Sequence, residues 1–219
     1  MEKFLSILER CPLFSGVSRE DLSAVMGCIG GSVMTVSREQ PVFLEGAPAN
    51  FVGLVLEGAV RLERQDYYGN RSIIGYVGPT ELFCETYACA RVAHLPISVI
   101  ADVDSRVLLM DCARITTGCS GACSFHSRII HNLLGMVATA NLRYDQKIQI
   151  TSRRSPREKL LAYLNSEAKR QGCNRFSIPY DRQELADYLE VDRSGLSAEI
   201  SKLRKEGILE CHKSEFILL

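Results

Sequence analysis

The chain has 219 residues, of which 46% are hydrophobic and 24% charged, and its formal net charge is zero. This composition is ordinary for a soluble globular protein of one large or two small domains, and no apolar run approaches the roughly 18 residues that a membrane span needs. The first residues lack the basic, apolar and small-residue order of a secretory signal, so we expect a cytoplasmic protein without membrane contact. A net charge of zero does not indicate nucleic-acid binding, so evidence for such binding must come from the placement of the basic residues.

Apolar residues at helical spacing predict two short helices, over residues 3–9 and 18–29, with Ser18 as N-cap of the second. From Val33 to Met110 the pattern changes to short apolar or alternating runs separated by glycine-containing turns. These runs are 52–56, 60–64, 72–77, 97–101 and 107–110. The spacing predicts a small antiparallel sandwich or barrel, whose interior is the default place for a small ligand.

The segment 124–150 contains no proline and a single glycine, Gly135, and it predicts a long helix. Its apolar positions recur in alternating steps of four and three residues, which is the repeat of a two-stranded helical seam. These positions are His126, Ile130, Leu133, Val137, Ala140 and Tyr144. We therefore predict a dimerisation helix that pairs with its own copy. The alternative is a helix packed on its own β domain.

Pro156 interrupts this pattern and begins another helix. Ser155 as N-cap, with Glu158 three residues later, forms a capping box, and Gly172 provides the stop signal. The hinge between domains is therefore predicted at residues 149–155.

The strongest pattern lies in residues 181–210. Asp181 and Glu184 form a second capping box, and after a three-residue turn Asp192 caps a second short helix that ends at Gly207. Two short helices joined by such a turn predict a helix-turn-helix, whose second helix enters the major groove of DNA. Two short β runs follow around Lys213-Ser214 and predict a wing.

The surface of this second helix opposite its apolar stripe carries hydroxyls and cations, which suit phosphate oxygens and base edges. The candidate DNA-binding residues are Arg182, Arg193, Ser194, Ser197, Ala198, Ser201 and Lys202, with Lys205 on the same face. Arg153 and Arg154, in the hinge, are candidates for phosphate contacts. The alternative is that the helix pair is only a small helical cap.

Nine cysteines are many for one chain, and in a reducing cytosol they are free thiols or ligands rather than a disulfide framework. Cys112, Cys119, Cys123 and His126 gather near the start of the long helix, and the last three share one helical face. This pattern predicts a metal, haem or cluster site, with Cys112 as a fourth ligand. The alternative is that these residues only pack, continuing the apolar seam.

This layout resembles the CRP/FNR family of bacterial transcription regulators. The matching segments are CPLF at 11–14, FVGLVLEGAVRL at 51–62, GPTELF at 78–83, SPREKLLAYL at 155–164 and RQELADYLEVDRSGLSAEISKLRKEGIL at 182–209. The resemblance implies an α+β fold with an N-terminal antiparallel β-roll of the double-stranded β-helix (jelly-roll) type. It divides the chain into a sensor domain with short N-terminal helices (1–123), a dimerisation helix (124–150) and a winged helix-turn-helix DNA-binding domain (151–219).

The resemblance also implies a homodimer that binds a two-fold symmetric site on double-stranded DNA and contacts RNA polymerase. The family's three base-reading positions fall on Arg193, Ser194 and Ala198 of this chain. Arg193 suits a guanine contact, whereas Ser194 and Ala198 depart from the charged residues of the best-known members. The DNA sequence that they recognise therefore cannot be transferred.

The family's cyclic-nucleotide binders use a Gly-Glu pair followed, about ten residues later, by an Arg with Ser or Thr. Here Cys84 replaces the glycine before Glu85, the arginine position falls near Leu95-Pro96, and Arg91 comes four residues early. A buried phosphate without its arginine would lose a bidentate ion pair, so we do not expect cyclic AMP. The candidate effector pocket comprises Cys84, Glu85, Cys89, Arg91 and His94.

An oxygen-sensing iron-sulfur relative would show a tight N-terminal cysteine cluster, and here only Cys11 and Cys28 lie in that region. The sequence therefore does not identify the cofactor, for which the candidates are a metal ion, a haem or an iron-sulfur cluster. An enzyme on a cupin-like roll would need clustered histidines with a carboxylate, and His94 is the only histidine in the strand region, so an enzyme is not expected. The remaining alternative is a ligand- or metal-binding regulatory protein that acts through protein contacts rather than DNA.

Overall fold

A computed structural model gives the fold and describes residues 4–117 and 124–219. The chain divides into two compact units, the first formed by residues 1–64 and 74–141 and the second by 65–73 and 142–219. The sensor boundary predicted at residue 123 lies outside the described residues. Within the described ranges, no helix combines the length and apolar character that crossing a membrane requires.

Two four-stranded sheets form the β-roll that the sequence predicts. The strands are β1 (Ser32–Val36), β2 (Pro41–Phe43), β3 (Phe51–Glu57), β4 (Val60–Gln65), β5 (Arg71–Val77), β6 (Leu82–Phe83), β7 (Ser98–Ala101) and β8 (Ser105–Asp111). One sheet has the order β1-β8-β3-β6 and the other β2-β7-β4-β5. The five predicted runs correspond to β3, β4, β5, β7 and β8, whereas β1, β2 and β6 were not predicted.

The helices up to residue 151 are α1 (Leu5–Arg10), α2 (Arg19–Cys28), α3 (Glu85–Cys89), α4 (Cys112–Thr116) and α5 (Ser124–Thr151). The predicted N-cap of α2 is confirmed, because the Ser18 side chain accepts a hydrogen bond from the Asp21 amide. The sequence did not predict α3 and α4, because each is too short to show a helical period.

The middle strand β3 is buried on both sides. Val52 and Leu54 belong to the core cluster that also holds α1 and α2, whereas Val55 belongs to the cluster between the sheets. At Gly53 an added Cβ would lie 2.0 Å from Cζ of Phe83. Only glycine therefore allows the Phe83 ring to lie directly against this strand.

A buried arginine crosses the second sheet. Arg61 is 2% exposed, and its guanidinium pairs with Glu39 at 3.1 Å, Glu63 at 2.9 Å and Asp102 at 3.0 Å. Asp102 also accepts a hydrogen bond from the Tyr76 hydroxyl at 2.7 Å. Burial lowers the pKa of Arg61, but its interactions with Glu63, Glu39 and Tyr76 raise this pKa above its ordinary value.

The second unit contains the predicted helix-turn-helix and wing. Its further elements are α6 (Pro156–Gln171), β9 (Arg175–Ser177), α7 (Arg182–Leu189), α8 (Arg193–Lys205), β10 (Leu209–His212) and β11 (Glu215–Leu218), with the sheet order β10-β11-β9. The capping box of Ser155 and Glu158 is confirmed at the start of α6. Gly172 ends this helix with a φ of 69°, a conformation that glycine adopts without strain.

The long helix α5 ends one residue beyond the predicted position 150. Ile129 and Leu133 are buried in the core of the first unit, whereas Leu134, Leu142 and Ile148 are exposed. Of the predicted seam positions, His126, Leu133 and Ala140 are buried and Ile130, Val137 and Tyr144 are half-buried. Part of the predicted seam therefore packs on the chain's own β-roll, as the alternative interpretation expected.

The turn between β4 and β5 belongs to the second unit. Arg71 forms an ion pair with Asp187 on α7, with Nη2 and Oδ2 2.8 Å apart. Lys147 on α5 donates hydrogen bonds to the carbonyl oxygens of Ile73 and Tyr188, the latter at 3.0 Å. Its Nζ also lies 4.2 Å from the centre of the Tyr188 ring.

Candidate nucleic-acid interface

Local capping positions the two helices of the helix-turn-helix. At the start of α7, Asp181 and Glu184 form the predicted capping box. Glu190 ends α7 in the left-handed region with a φ of 54°, and the carboxylate of Asp192 then accepts the Gly195 amide at 2.9 Å to start α8. The chain therefore reverses within three residues, which fixes the direction of α8 relative to α7.

One face of α8 is apolar and the opposite face is exposed. Leu196, Ile200 and Leu203 are buried. The exposed side chains are Arg193, Ser194, Ala198, Ser201, Lys202 and Lys205, and Ser197 is half-buried. The helix therefore presents the predicted hydroxyls and cations to solvent, on a rod of the width that the major groove of DNA admits.

Hydrogen bonds limit what two of these side chains can do. The Ser194 hydroxyl donates to the Asp192 carboxylate, and this bond is the main cause of a lowered pKa at Asp192. The Ser201 hydroxyl donates to the Ser197 carbonyl at 2.9 Å. Because each hydroxyl hydrogen is used within the chain, both oxygens are left as hydrogen-bond acceptors toward a ligand.

The cations of this region fall into two groups. Lys202 Nζ lies 2.6 Å from Oε1 of Glu199, and the guanidinium of Arg182 stacks 5.9 Å from the centre of the Phe216 ring. The side chains of Arg153 and Arg154 are exposed between α5 and α6, and that of Arg193 is exposed at the start of α8. The exposed arginines are accessible to an anionic ligand.

A cleft of about 780 Å³ lies between the end of α8 and the wing. Arg175, Arg204, Lys205 and His212 line it together with Ser201. Arg175, Arg204 and His212 were not among the site residues predicted from the sequence. His212 lies on a strand of the predicted wing, whereas Arg175 lies on β9, which was not predicted.

The candidate effector residues do not share one site. Cys84 is buried in the cluster between the sheets, and burial raises its pKa to about 12. Glu85 is 3% exposed at the start of α3, whereas His94 is exposed and bonds the Gly46 carbonyl at 3.0 Å. Cys89 and Arg91 line a different cleft, described below.

The residues present do not fit the phosphate of a cyclic nucleotide. Cys84 has a φ of 61°, so it occupies a backbone position suited to the glycine that the resemblance places there. The expected arginine position, however, is taken by Leu95, which is fully buried among apolar residues. Arg91 is exposed and lines another cleft, so this arginine does not replace the bidentate partner expected at residue 95.

Two of the four candidate metal ligands can be located. Cys119 and Cys123 lie outside the described residues. His126 is buried, and its Nε2 lies 3.0 Å from the Arg114 carbonyl oxygen, whereas Cys112 is buried at the start of α4. Among the residues that the structure describes, no three His, Cys, Asp or Glu side chains form a group that could hold a metal ion.

Instead, Cys112 pairs with Cys89. Their sulfur atoms are 3.9 Å apart, and both residues line a cleft of about 470 Å³ together with Arg91 and Asn50. A hydrogen bond from the Cys112 thiol lowers the pKa of Cys89, and the same bond together with burial raises the pKa of Cys112. The sequence analysis placed these two cysteines in different sites, because 23 positions separate them in the chain.

Comparison with known proteins agrees with both halves of this fold. Residues 33–117 match the cyclic nucleotide-binding domain family, and residues 158–219 match the Crp-like helix-turn-helix domain family. The chain is 24% identical over 178 residues to the nitrogen fixation regulation protein FixK of Rhizobium meliloti strain 1021, covering 81% of this chain and 77% of that protein.

Two solved structures share the fold across most of the chain. FixK2 of Bradyrhizobium japonicum has a TM-score of 0.68 at 20% identity, covering 86% of this chain and 92% of that one. The c-di-GMP responsive global regulator CLP of Xanthomonas campestris has a TM-score of 0.75 at 15% identity, covering 92% of this chain and 99% of that one.

Proposed function

Because the chain belongs to the CRP/FNR family of transcription regulators, we propose that it is a homodimer that recognises a two-fold symmetric DNA site through α8. The family membership itself makes the chain a helix-turn-helix transcription regulator and not an enzyme. DNA is then the macromolecular partner, and we extend the proposal to RNA polymerase and to the cytoplasm, where both are found in bacteria. The proposed signal is not a cyclic nucleotide, because the residues around Leu95 do not fit one.

The observation that supports DNA recognition best is the exposed polar face of α8. Ser194 and Ala198 lie one turn apart on this face, opposite the buried leucines and isoleucine, and Arg193 is exposed at the first position of the helix. Residues spaced in this way can meet consecutive base pairs along the major groove. The exposed arginines of the hinge supply phosphate contacts, which carry affinity without sequence preference.

Each of the three side chains suits a different base. The Arg193 guanidinium can bind O6 and N7 of guanine in a bidentate manner. The Ser194 oxygen, whose hydrogen is already donated to Asp192, can accept from the amino group of adenine or cytosine. The Ala198 methyl can contact the methyl group of thymine. We therefore propose half-sites that contain guanine, an amino-bearing base and thymine at the corresponding positions.

The proposed dimer uses the long helix. Leu134, Leu142 and Ile148 are exposed apolar side chains on α5, and a helix of 28 residues is long enough to pair over several turns. Pairing two copies would remove this apolar surface from water. It would also place two recognition helices on one DNA site, which is why a two-fold symmetric sequence is expected.

Selection of bound sequences from a random DNA pool tests this proposal. We expect the wild-type protein to select a two-fold symmetric motif. Replacing the thymine opposite Ala198 by uracil, which lacks only the methyl group, should weaken binding several-fold. Arg193→Ala should lose the preference for guanine at one position, and Arg154→Ala should weaken binding to all sequences about equally.

The second candidate, regulation through protein contacts alone, makes the opposite prediction. In that case no sequence would be enriched in the selection, and binding to any DNA would be absent even at low salt, where phosphate contacts are strongest. Equal losses for Arg193→Ala on every sequence would contradict base reading by this residue while leaving DNA binding intact.

A further inference from the structure

The thiols of Cys89 and Cys112 meet although they come from different elements. Cys89 is the last residue of α3 and Cys112 the first of α4, and their sulfur atoms are 3.9 Å apart. A disulfide needs about 2.05 Å between the two sulfurs, so the two thiols must approach each other by about 2 Å for the bond to form. Cys112 is held by the backbone on both sides, because its amide donates to the Asn50 carbonyl at 3.0 Å and its carbonyl accepts from the Thr116 hydroxyl at 2.9 Å.

The two thiols are also unequal in access and in acidity. Cys89 is half-buried and lines the cleft of about 470 Å³ shared with Arg91, whereas Cys112 is buried. The hydrogen bond from Cys112 lowers the pKa of Cys89 and raises that of Cys112. The negative charge of Glu85 raises the pKa of Cys89, and that of Asp111 raises the pKa of Cys112. The accessible sulfur is therefore the better nucleophile, and the buried one retains its proton.

We propose that Cys89 and Cys112 form a redox-sensitive dithiol that a hydroperoxide converts into an intramolecular disulfide, and that this change is the signal of the regulator. Formation of the disulfide is argued from the geometry of the two thiols. Its role as a regulatory signal rests on the DNA-binding function proposed above. Transient disulfides of this kind are compatible with a reducing cytosol, where structural disulfides are rare.

The chemistry proceeds in two balanced steps. The Cys89 thiolate attacks one oxygen of hydrogen peroxide, the O–O bond breaks, and a sulfenic acid forms while the departing hydroxide takes up a proton to become water. The Cys112 sulfur then attacks the Cys89 sulfur, the S–O bond breaks, and the hydroxyl leaves with the Cys112 proton as a second water. Two thiols lose two electrons, and one peroxide is reduced to two waters.

Digestion with trypsin can identify the pairing without ambiguity. Cleavage after arginine releases residues 107–114, in which Cys112 is the sole cysteine, and residues 72–91, which contain Cys84 and Cys89. Cys119 and Cys123 lie on another peptide, 115–128. Reduced protein is treated with one equivalent of hydrogen peroxide, blocked with N-ethylmaleimide, digested and analysed by fragmentation mass spectrometry.

We expect a linked pair of the peptides 72–91 and 107–114, joined through Cys89, that dithiothreitol separates. Cys112→Ser should stop at a Cys89 sulfenic acid, which dimedone traps, and Cys173→Ser should behave as wild type because this exposed thiol is outside the pair. Unmodified thiols after treatment, or a bond from Cys89 to Cys119 or Cys123, would overturn the dithiol.

DNA binding by the two forms tests the regulatory role. The affinity of the oxidised protein for the selected DNA should differ from that of the reduced protein by about fivefold or more, and Cys89→Ser should remove the difference. Equal affinities of the linked and reduced forms would overturn the regulatory role while the dithiol stands. Failure of both the reduced and the oxidised protein to bind DNA would instead refute the DNA-binding function, and the peptide result would be unaffected.

Discussion

The buried lysine of the second unit predicts an unusual dependence of stability on pH. Burial lowers the pKa of Lys147 to about 8, and its Nζ has two carbonyl oxygens as acceptors, those of Ile73 and Tyr188. Carbonyl groups stabilise the ammonium only in part, because they are dipoles and not charges. Glu190 favours the charged form and Lys159 opposes it, and neither outweighs the loss of hydration.

The sign follows from the number of protons bound in each state. In the unfolded chain Lys147 has an ordinary pKa of about 10.5, so between about pH 8 and pH 10.5 the unfolded state binds more protons than the folded state. The free energy of unfolding therefore rises with pH through this window. With these two values, the contribution of Lys147 increases by about 2 kcal/mol between about pH 7 and pH 9.5.

Denaturant unfolding at several pH values measures this effect in wild type and in Lys147→Met, which keeps the length of the side chain but cannot titrate. Measurements stop at about pH 9.5, below the pKa of about 10 that tyrosines have in the unfolded chain. The stability of wild type relative to Lys147→Met should increase by about 2 kcal/mol across the range. In Lys169→Met, which replaces an exposed lysine of the same unit, the free energy of unfolding should change with pH as it does in wild type.

Parallel curves for wild type and Lys147→Met would refute the reasoning. They would mean that the carbonyl groups and the Tyr188 ring compensate fully for the burial of the charge. The chemical shift of the Lys147 ε-carbon across the same titration measures its pKa in the folded state and separates this outcome from unfolding that is not two-state.

Three further predictions concern the first unit and the dimer. Arg61→Met should lower the free energy of unfolding by about 3 kcal/mol in denaturant titrations, because three carboxylates lose their partner. The free energy of unfolding of Arg61→Lys should lie between those of wild type and Arg61→Met. Gly53→Ala should cost about 2 kcal/mol through overlap with Phe83, and combining it with Phe83→Leu should recover part of that loss; full stability of the single variant would contradict the close packing. In sedimentation experiments, Leu134→Glu should shift the protein toward monomer, whereas Thr139→Glu, on another side of the helix, should not; a dimer unaffected by Leu134→Glu would exclude this face.

Much of the fold followed from the sequence because its signals are local. The capping boxes at Ser155 and Asp181 and the cap at Asp192 all have the predicted hydrogen bonds. Strand β1 was not predicted, since four of its five residues are exposed and the apolar alternation is absent. The helix α3 has five residues, fewer than the period needs in order to appear.

The direction of an apolar helix face is harder to predict than the helix itself. The sequence periodicity of α5 identified a stripe through Leu133 and Val137, and both pack on the core of the first unit. The exposed Leu134 was not named, because a period of 3.5 shows that an apolar stripe exists and not which surface covers it. Distinguishing a self-packed face from a dimer face requires the tertiary contacts.

The contacts between site residues are also hard to predict from the sequence. Sequence spacing grouped Cys112 with His126 and grouped Cys89 with Cys84, since each pair is close in the chain. In the fold, strands β7 and β8 separate α3 from α4 in sequence and return the chain to the same cleft, so Cys89 meets Cys112. A contact made by chain reversal leaves no periodic signal, which is why neither candidate site contained this pair.

The position of Cys89 on α3 relates the pair to the phosphate-binding positions that the family resemblance places on this helix. The N-terminal end of α3 carries Cys84 and Glu85, where the family resemblance places phosphate-binding residues. Leu95 occupies the position of the arginine that such a phosphate would need. The C-terminal end of the same helix carries Cys89. A disulfide to Cys112 would attach α3 covalently to α4, whereas a bound phosphate attaches only through reversible contacts. The proposed dithiol would therefore use the same short helix to respond to an oxidant instead of a nucleotide.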